Sequence, residues 1–180
     1  MSWAKLLLTG AALLALAACA PPDADLAEPP VALGDFKLGH NIVVVPDAKS
    51  LPGSRPATED EWKTALTRAI DARFGRYDGA KFYHFGVSVD AYNLAAIDVP
   101  GVPTPKSALA FTITVWDDAA GAKLNEDAKT LTVLGIFSGA GIQPSKQTQL
   151  DNLSALAAKE IQQYLLENRE WFGLPPLAEE

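Results

Sequence analysis

The chain of 180 residues carries a single cysteine, Cys19, and two histidines, His40 and His84. One cysteine leaves no intramolecular disulfide, and two histidines without ligand spacing supply no zinc site. The longest apolar run, from Leu6 to Ala18, is 13 residues, against about 20 needed to cross a hydrocarbon core. Basic side chains are also scarce, 15 against 22 acidic ones, for a net charge of −7. Such a surface lacks the positive footprint of a nucleic-acid or anionic-lipid binder. After residue 18 there is neither a G-x-S-x-G nor an S-x-x-K setting for a serine nucleophile. These absences leave an enzyme reading without a signature, and no cofactor is expected.

What is present begins at the N-terminus. A weakly positive start (Met1, Trp3, Lys5) leads into the apolar run, which reads as a signal h-region. It ends in Leu16-Ala17-Ala18-Cys19, which resembles the bacterial lipobox, a branched and two small residues before the cysteine. The resemblance implies a lipoprotein signal peptide over 1–18, cleavage before Cys19 and acylation of its thiol. Two or more buried acyl chains anchor stably where one does not. The family's sorting rule reads the residue after the cysteine. Ala20 there, rather than Asp, implies the inner leaflet of the outer membrane, facing the periplasm.

Removing Lys5 with the signal leaves 14 basic and 22 acidic side chains on the mature chain, a net of −8. Residues 19–33 are expected to be a lipidated N-terminus and Pro-rich spacer: Pro21, Pro22, Pro29 and Pro30 among Asp23, Asp25 and Glu28 favour an extended, semi-rigid tether. Residues 34–180 are expected to form one periplasmic domain, a size that buries a single core.

Within that domain the hydrophobic period switches several times. Phe36 to Val45 reads as a strand closed by Pro46, and 47–56 as loop. Thr58 and Glu61 form a capping box ahead of Trp62, Ala65, Leu66, Ala69, Ile70 and Phe74 at helical spacing, with Gly75 as a left-handed stop. Period-two alternation then marks strands over 81–95, 109–117 and 129–137, and the stripe Leu150, Leu153, Ala157, Ile161, Tyr164, Leu165 marks a helix over 147–168. The predicted fold is α+β: a two-layer sandwich, a four-stranded mainly antiparallel sheet with two helices on one face, in the order β-α-β-β-β-α. In element order alone this resembles envelope accessory lipoproteins, among them the lipopolysaccharide-assembly lipoprotein that plugs an outer-membrane barrel and the accessory lipoproteins of lipid-transport systems. That resemblance implies a membrane-anchored accessory or assembly factor for another envelope protein or transport complex.

The remaining motifs have structural readings. Asp117 to Lys123 is expected to be a hairpin turn with Gly121 supplying positive φ, not a calcium loop, and Ser138 to Gly141 a flexible connection, not a phosphate loop. Trp171 and Phe172 are expected to fold back on the domain. Partner-binding candidates are Phe82, His84, Tyr92 and Trp116 on the polar sheet face, and Pro100, Pro103 and Pro105 in a long, stiff connection. The alternative is a lipid or envelope polymer bound in a cleft between sheet and helices. A hydrolase built on His84 is a third class.

Overall fold

The structure, a computed structural model, describes residues 21–96, 107–135 and 144–176. Two helices, α1 (Glu59–Phe74) and α2 (Lys146–Glu167), pack on one face of a mixed sheet of six strands. Its long strands are β1 (Phe36–Val44), β3 (Lys81–Asn93), β4 (Ser107–Asp117) and β6 (Lys129–Gly135), hydrogen-bonded in the order β1-β3-β4-β6. Two-residue strands, β2 (Lys49–Ser50) and β5 (Ala122–Lys123), extend β3 and β4 respectively.

The expectation of a four-stranded, mainly antiparallel sheet needs correcting. β3, β4 and β6 are antiparallel neighbours, but β1 and β2 both run parallel to β3. The cause is the crossover: a strand that returns through a helix to its neighbour must arrive in the same direction.

The capping box forms as read. Thr58 Oγ1 accepts from the Glu61 amide at 3.2 Å and Glu61 Oε2 accepts from the Thr58 amide at 2.8 Å. Three acidic residues in this first turn face the positive end of the helix dipole. At the other end Gly75 stays right-handed, with φ −66°, and its amide donates to the Asp71 carbonyl. α2 is capped by Ser145, whose hydroxyl accepts from the Thr148 amide. The helices run parallel, joined by Glu61 to Lys146 near their starts, Arg68 to Asp151 further along, and Arg73 to Gln162 toward their ends.

Between the layers Leu66, Ile70, Val89, Leu109, Phe111, Leu153 and Ile161 are all fully buried. One end of this core is aromatic. Phe36 stacks on Tyr83 at 5.3 Å and meets Phe172 edge-on at 5.6 Å. The tail therefore folds back as expected, in a 3-10 turn over Arg169–Phe172.

The segment after residue 20 departs from an extended spacer. Ala24–Ala27 is a 3-10 turn, and Asp25 clamps the buried guanidinium of Arg73 with two hydrogen bonds of 2.8 and 3.0 Å. Arg76 donates to the Glu28 carbonyl, Tyr77 to the Val31 carbonyl, and Leu33 is fully buried. Proline content disfavours regular structure, but it does not prevent side chains from docking.

Candidate functional site

The face of the sheet turned away from the helices is covered by no described element and leaves large apolar side chains exposed. Its floor is small and hydroxylated, with Ser88, Thr112, Thr114, Thr130 and Thr132, and Thr112 donates to Asp90 at 2.6 Å. Exposed apolar side chains stand around this floor: Ile42, Val44, Phe82, Trp116 and Leu134.

At one end a row crosses four strands. His84 of β3 pairs with Trp116 of β4, which pairs with Lys123 of β5, and His40 of β1 stacks on His84 at 4.8 Å. Lys123 lies 5.8 Å from the Trp116 ring centroid, and Lys37 lies 5.2 Å from that of Phe82. Each exposed ring thus carries an ammonium over its face, a contact of about 0.5–1 kcal/mol at the surface.

His84 is more constrained than a solvated strand residue. The pairing of β1 with β3 shifts between Leu38 and Asn41, so β1 holds one extra residue there. Into that break the His84 ring inserts: its Nδ1 accepts from the His40 amide at 2.8 Å and its Nε2 lies 2.9 Å from Asp118 Oδ1. An accepting Nδ1 leaves the proton of the neutral ring on Nε2, donated to Asp118. Both ring nitrogens are thus engaged by other groups of the protein. The approach requires Gly39, because a Cβ there would lie 2.4 Å from the imidazole.

Tyr92 does not belong to this face. A bulge at Asp90, where Val89 pairs with Phe111 but Ala91 with Ala110, reverses the alternation and turns Tyr92 into the core. Its ring packs against Trp62 at 5.3 Å and its hydroxyl serves both the amide and the carbonyl of Ala57. The structure therefore brings together Phe82, His84 and Trp116 and removes Tyr92. Cys19, Pro100, Pro103 and Pro105 lie outside the described residues, as does the Ser138 to Gly141 loop.

The Asp117 to Lys123 segment is a hairpin turn. The Ala120 amide donates to Asp117 Oδ1 at 3.0 Å and Gly121 has φ +60°. One residue beyond it escaped the sequence reading altogether. Asn125 is buried, accepts from the Val115 amide at 2.8 Å and donates to the carbonyls of Ile113 and Asp127. An asparagine in a polar loop carries no sequence mark of such a role.

A second concavity lies along α2. Thr132, Val133 and Leu134 of β6, Leu156, Lys159 and Glu160 of α2, and Asp25 and Val31 of the N-terminal segment are among the residues lining about 590 Å³. Among the described residues no group of three or more His, Cys, Asp and Glu side chains converges as metal ligands would. No helix among them is long and apolar enough to cross a membrane.

Fold and surface thus define a two-layer α+β sandwich with an aromatic-bearing sheet face that no described element covers. Among solved structures the chain is similar to a Xanthomonas campestris protein of the DUF330 family, with TM-score 0.52, 12% identity, and 81% of this chain and 94% of that one covered. This likeness shows a shared fold. A Caulobacter crescentus protein described as a lipoprotein aligns with TM-score 0.41 and 16% identity over 81% of this chain and 96% of that one. A minor lipoprotein of Acinetobacter baumannii aligns with TM-score 0.30 and 17% identity over 73% and 92%. No protein-family model and no curated protein matches the chain.

Proposed function

We propose that the protein is a lipoprotein of the bacterial cell envelope, anchored through Cys19 in the inner leaflet of the outer membrane, that serves without catalysis as an accessory factor for another envelope protein. The anchor rests on the Leu16-Ala17-Ala18-Cys19 lipobox. The observation that carries the accessory role is the exposed pair Phe82 and Trp116, at 44% and 39%, on a sheet face that no described element covers. Large rigid rings among hydroxyls are the chemistry of protein interfaces, where a few aromatic anchors dominate the binding energy.

A photo-crosslinker at Thr114, in the middle of this face, provides the test in living cells. A discrete adduct is expected, reduced at least about fivefold by the pair Phe82→Ala and Trp116→Ala. An adduct that survives both substitutions, or that forms only from the helix face, overturns this reading. Cys19→Ser is expected to move the protein from the membrane to the soluble fraction.

The groove along α2 supports a second reading, the binding of a lipid or polymer chain, since its volume lies in the range of ligand sites. The space between sheet and helices is filled by fully buried side chains, so such a ligand would lie in that groove and not between the layers. A lipid that copurifies with the wild type and is lost from Leu156→Glu would favour it.

A further inference from the structure

The N-terminal segment docks at one particular place. Asp23 and Leu26 line a cleft with Ala65, Arg68 and Ala69 of α1 and Asp151 of α2. These residues follow the seam where the two helices meet, and Arg68 and Asp151 bridge it with exposed side chains. Because the helices cover one face of the sheet, this seam lies on the side of the molecule opposite Phe82 and Trp116. Asp25 holds the segment there through Arg73, 3% exposed, and through Lys159 of α2 at 3.4 Å. Burying a guanidinium is costly unless it is paired, so Arg73 favours the docked over the free segment.

We infer that residues 23–33 are a strap that fixes the orientation of the body on the membrane, with the outer surface of α1 and α2 toward the lipid headgroups and the open sheet face directed away from them. The inference rests on acylation of Cys19. Three residues, Ala20, Pro21 and Pro22, separate Cys19 from Asp23, so the four steps between them reach about 14 Å when fully extended. A helix layer on a sheet layer is about 20 Å thick. A tether leaving the helix side is too short to carry the sheet face down to the bilayer. The strap thus leaves Phe82 and Trp116 to a protein partner and gives the exposed Thr64 side of α1 to the lipid surface.

Because Cys19 is the sole cysteine and is consumed by lipid, one introduced thiol can be labelled cleanly. The full lipidated protein, carrying an environment-sensitive fluorophore on Thr64→Cys or on Thr130→Cys, is reconstituted into phosphatidylethanolamine and phosphatidylglycerol vesicles containing a headgroup spin-labelled lipid. The Thr64 label is expected to be quenched strongly and the Thr130 label to keep its fluorescence. A flexible Gly-Ser insertion between Ala20 and Pro21, which lengthens the tether and leaves the strap intact, is expected to abolish the difference. Equal quenching of the two labels in the native-length protein, or a difference that survives the insertion, overturns the strap's role while leaving the anchor standing. Flotation of the same samples reports on the anchor itself: protein that fails to float with vesicles, or a Cys19→Ser form that floats equally well, removes the anchor and this inference together.

Discussion

Tyr92 and Trp116 occupy the two faces of one sheet, and their energetics differ accordingly. Tyr92 is 7% exposed, against Trp62, with a hydroxyl that accepts from the Ala57 amide and donates to the Ala57 carbonyl. Removing that hydroxyl in Tyr92→Phe orphans a part-buried amide and is expected to cost about 1 kcal/mol. Tyr92→Ala adds a cavity, for about 3–5 kcal/mol in total. Trp116→Ala loses an exposed ring and is expected to change stability by about 0.5 kcal/mol. Urea denaturation of the three variants checks this ordering, and a Trp116→Ala loss as large as that of Tyr92→Ala would place both rings in the core. The strand was legible over most of its length, because Tyr83, Phe85, Val87 and Val89 alternate cleanly and are all buried. Its far end was not. A bulge inserts one residue, and Asp90 differs in nothing visible from any other polar residue on the outer face; only its pairing with β4 reveals the slip.

At the scale of elements, the helices were easier to read than the connections between strands. Capping box and apolar stripe are encoded within a few consecutive residues, and α1 begins where Thr58 and Glu61 place it, although Gly75 ends it in a right-handed and not a left-handed conformation. The parallel pairing of β1 with β3 follows from the order strand, helix, strand, whereas the alternation within the three later strands carries no mark of the direction in which β1 joins them. Asn125 is a different case. It lies beyond the hairpin turn, and by binding the Val115 amide and the Ile113 carbonyl it supplies β4 with the partners a longer β5 would have provided. Asn125→Ala leaves both groups buried and unpaired, at an expected cost of about 2–3 kcal/mol. The loss should be local before it is global, so hydrogen exchange offers the sharper measurement: the Val115 amide is expected to lose protection in the variant while the amides within α1 keep theirs. Uniform loss of protection would mean that Asn125 supports the whole sheet.

For the molecule as a whole, the consequential difference from sequence is the strap, because composition cannot show where a Pro-rich segment docks. The partner of Asp25 is 48 residues away, and nothing local to either residue announces the pair. The hydrogen bonds and charge of Arg73, with a smaller contribution from Lys159, lower the Asp25 pKa from 3.8 to about 2, against the opposing effect of burial. The sign follows from linkage: a carboxyl more acidic in the folded than in the unfolded chain stabilises the fold above about pH 4, and that contribution disappears as pH falls through its folded value. With 38% of its side chain exposed, Asp25 is screened by solvent, so the effect is of the order of 1 kcal/mol. Comparing wild type with Asp25→Asn by thermal denaturation should show the wild type more stable at pH 6 and the two converging toward pH 2. A gap that stays constant across this range would assign the stabilisation to hydrogen-bond geometry and not to charge. Over the same interval Arg73 keeps its 2.7 Å bond to Gln162 but loses its counter-ion, so the strap, and with it the orientation of the sheet face, should loosen in acid before the core does.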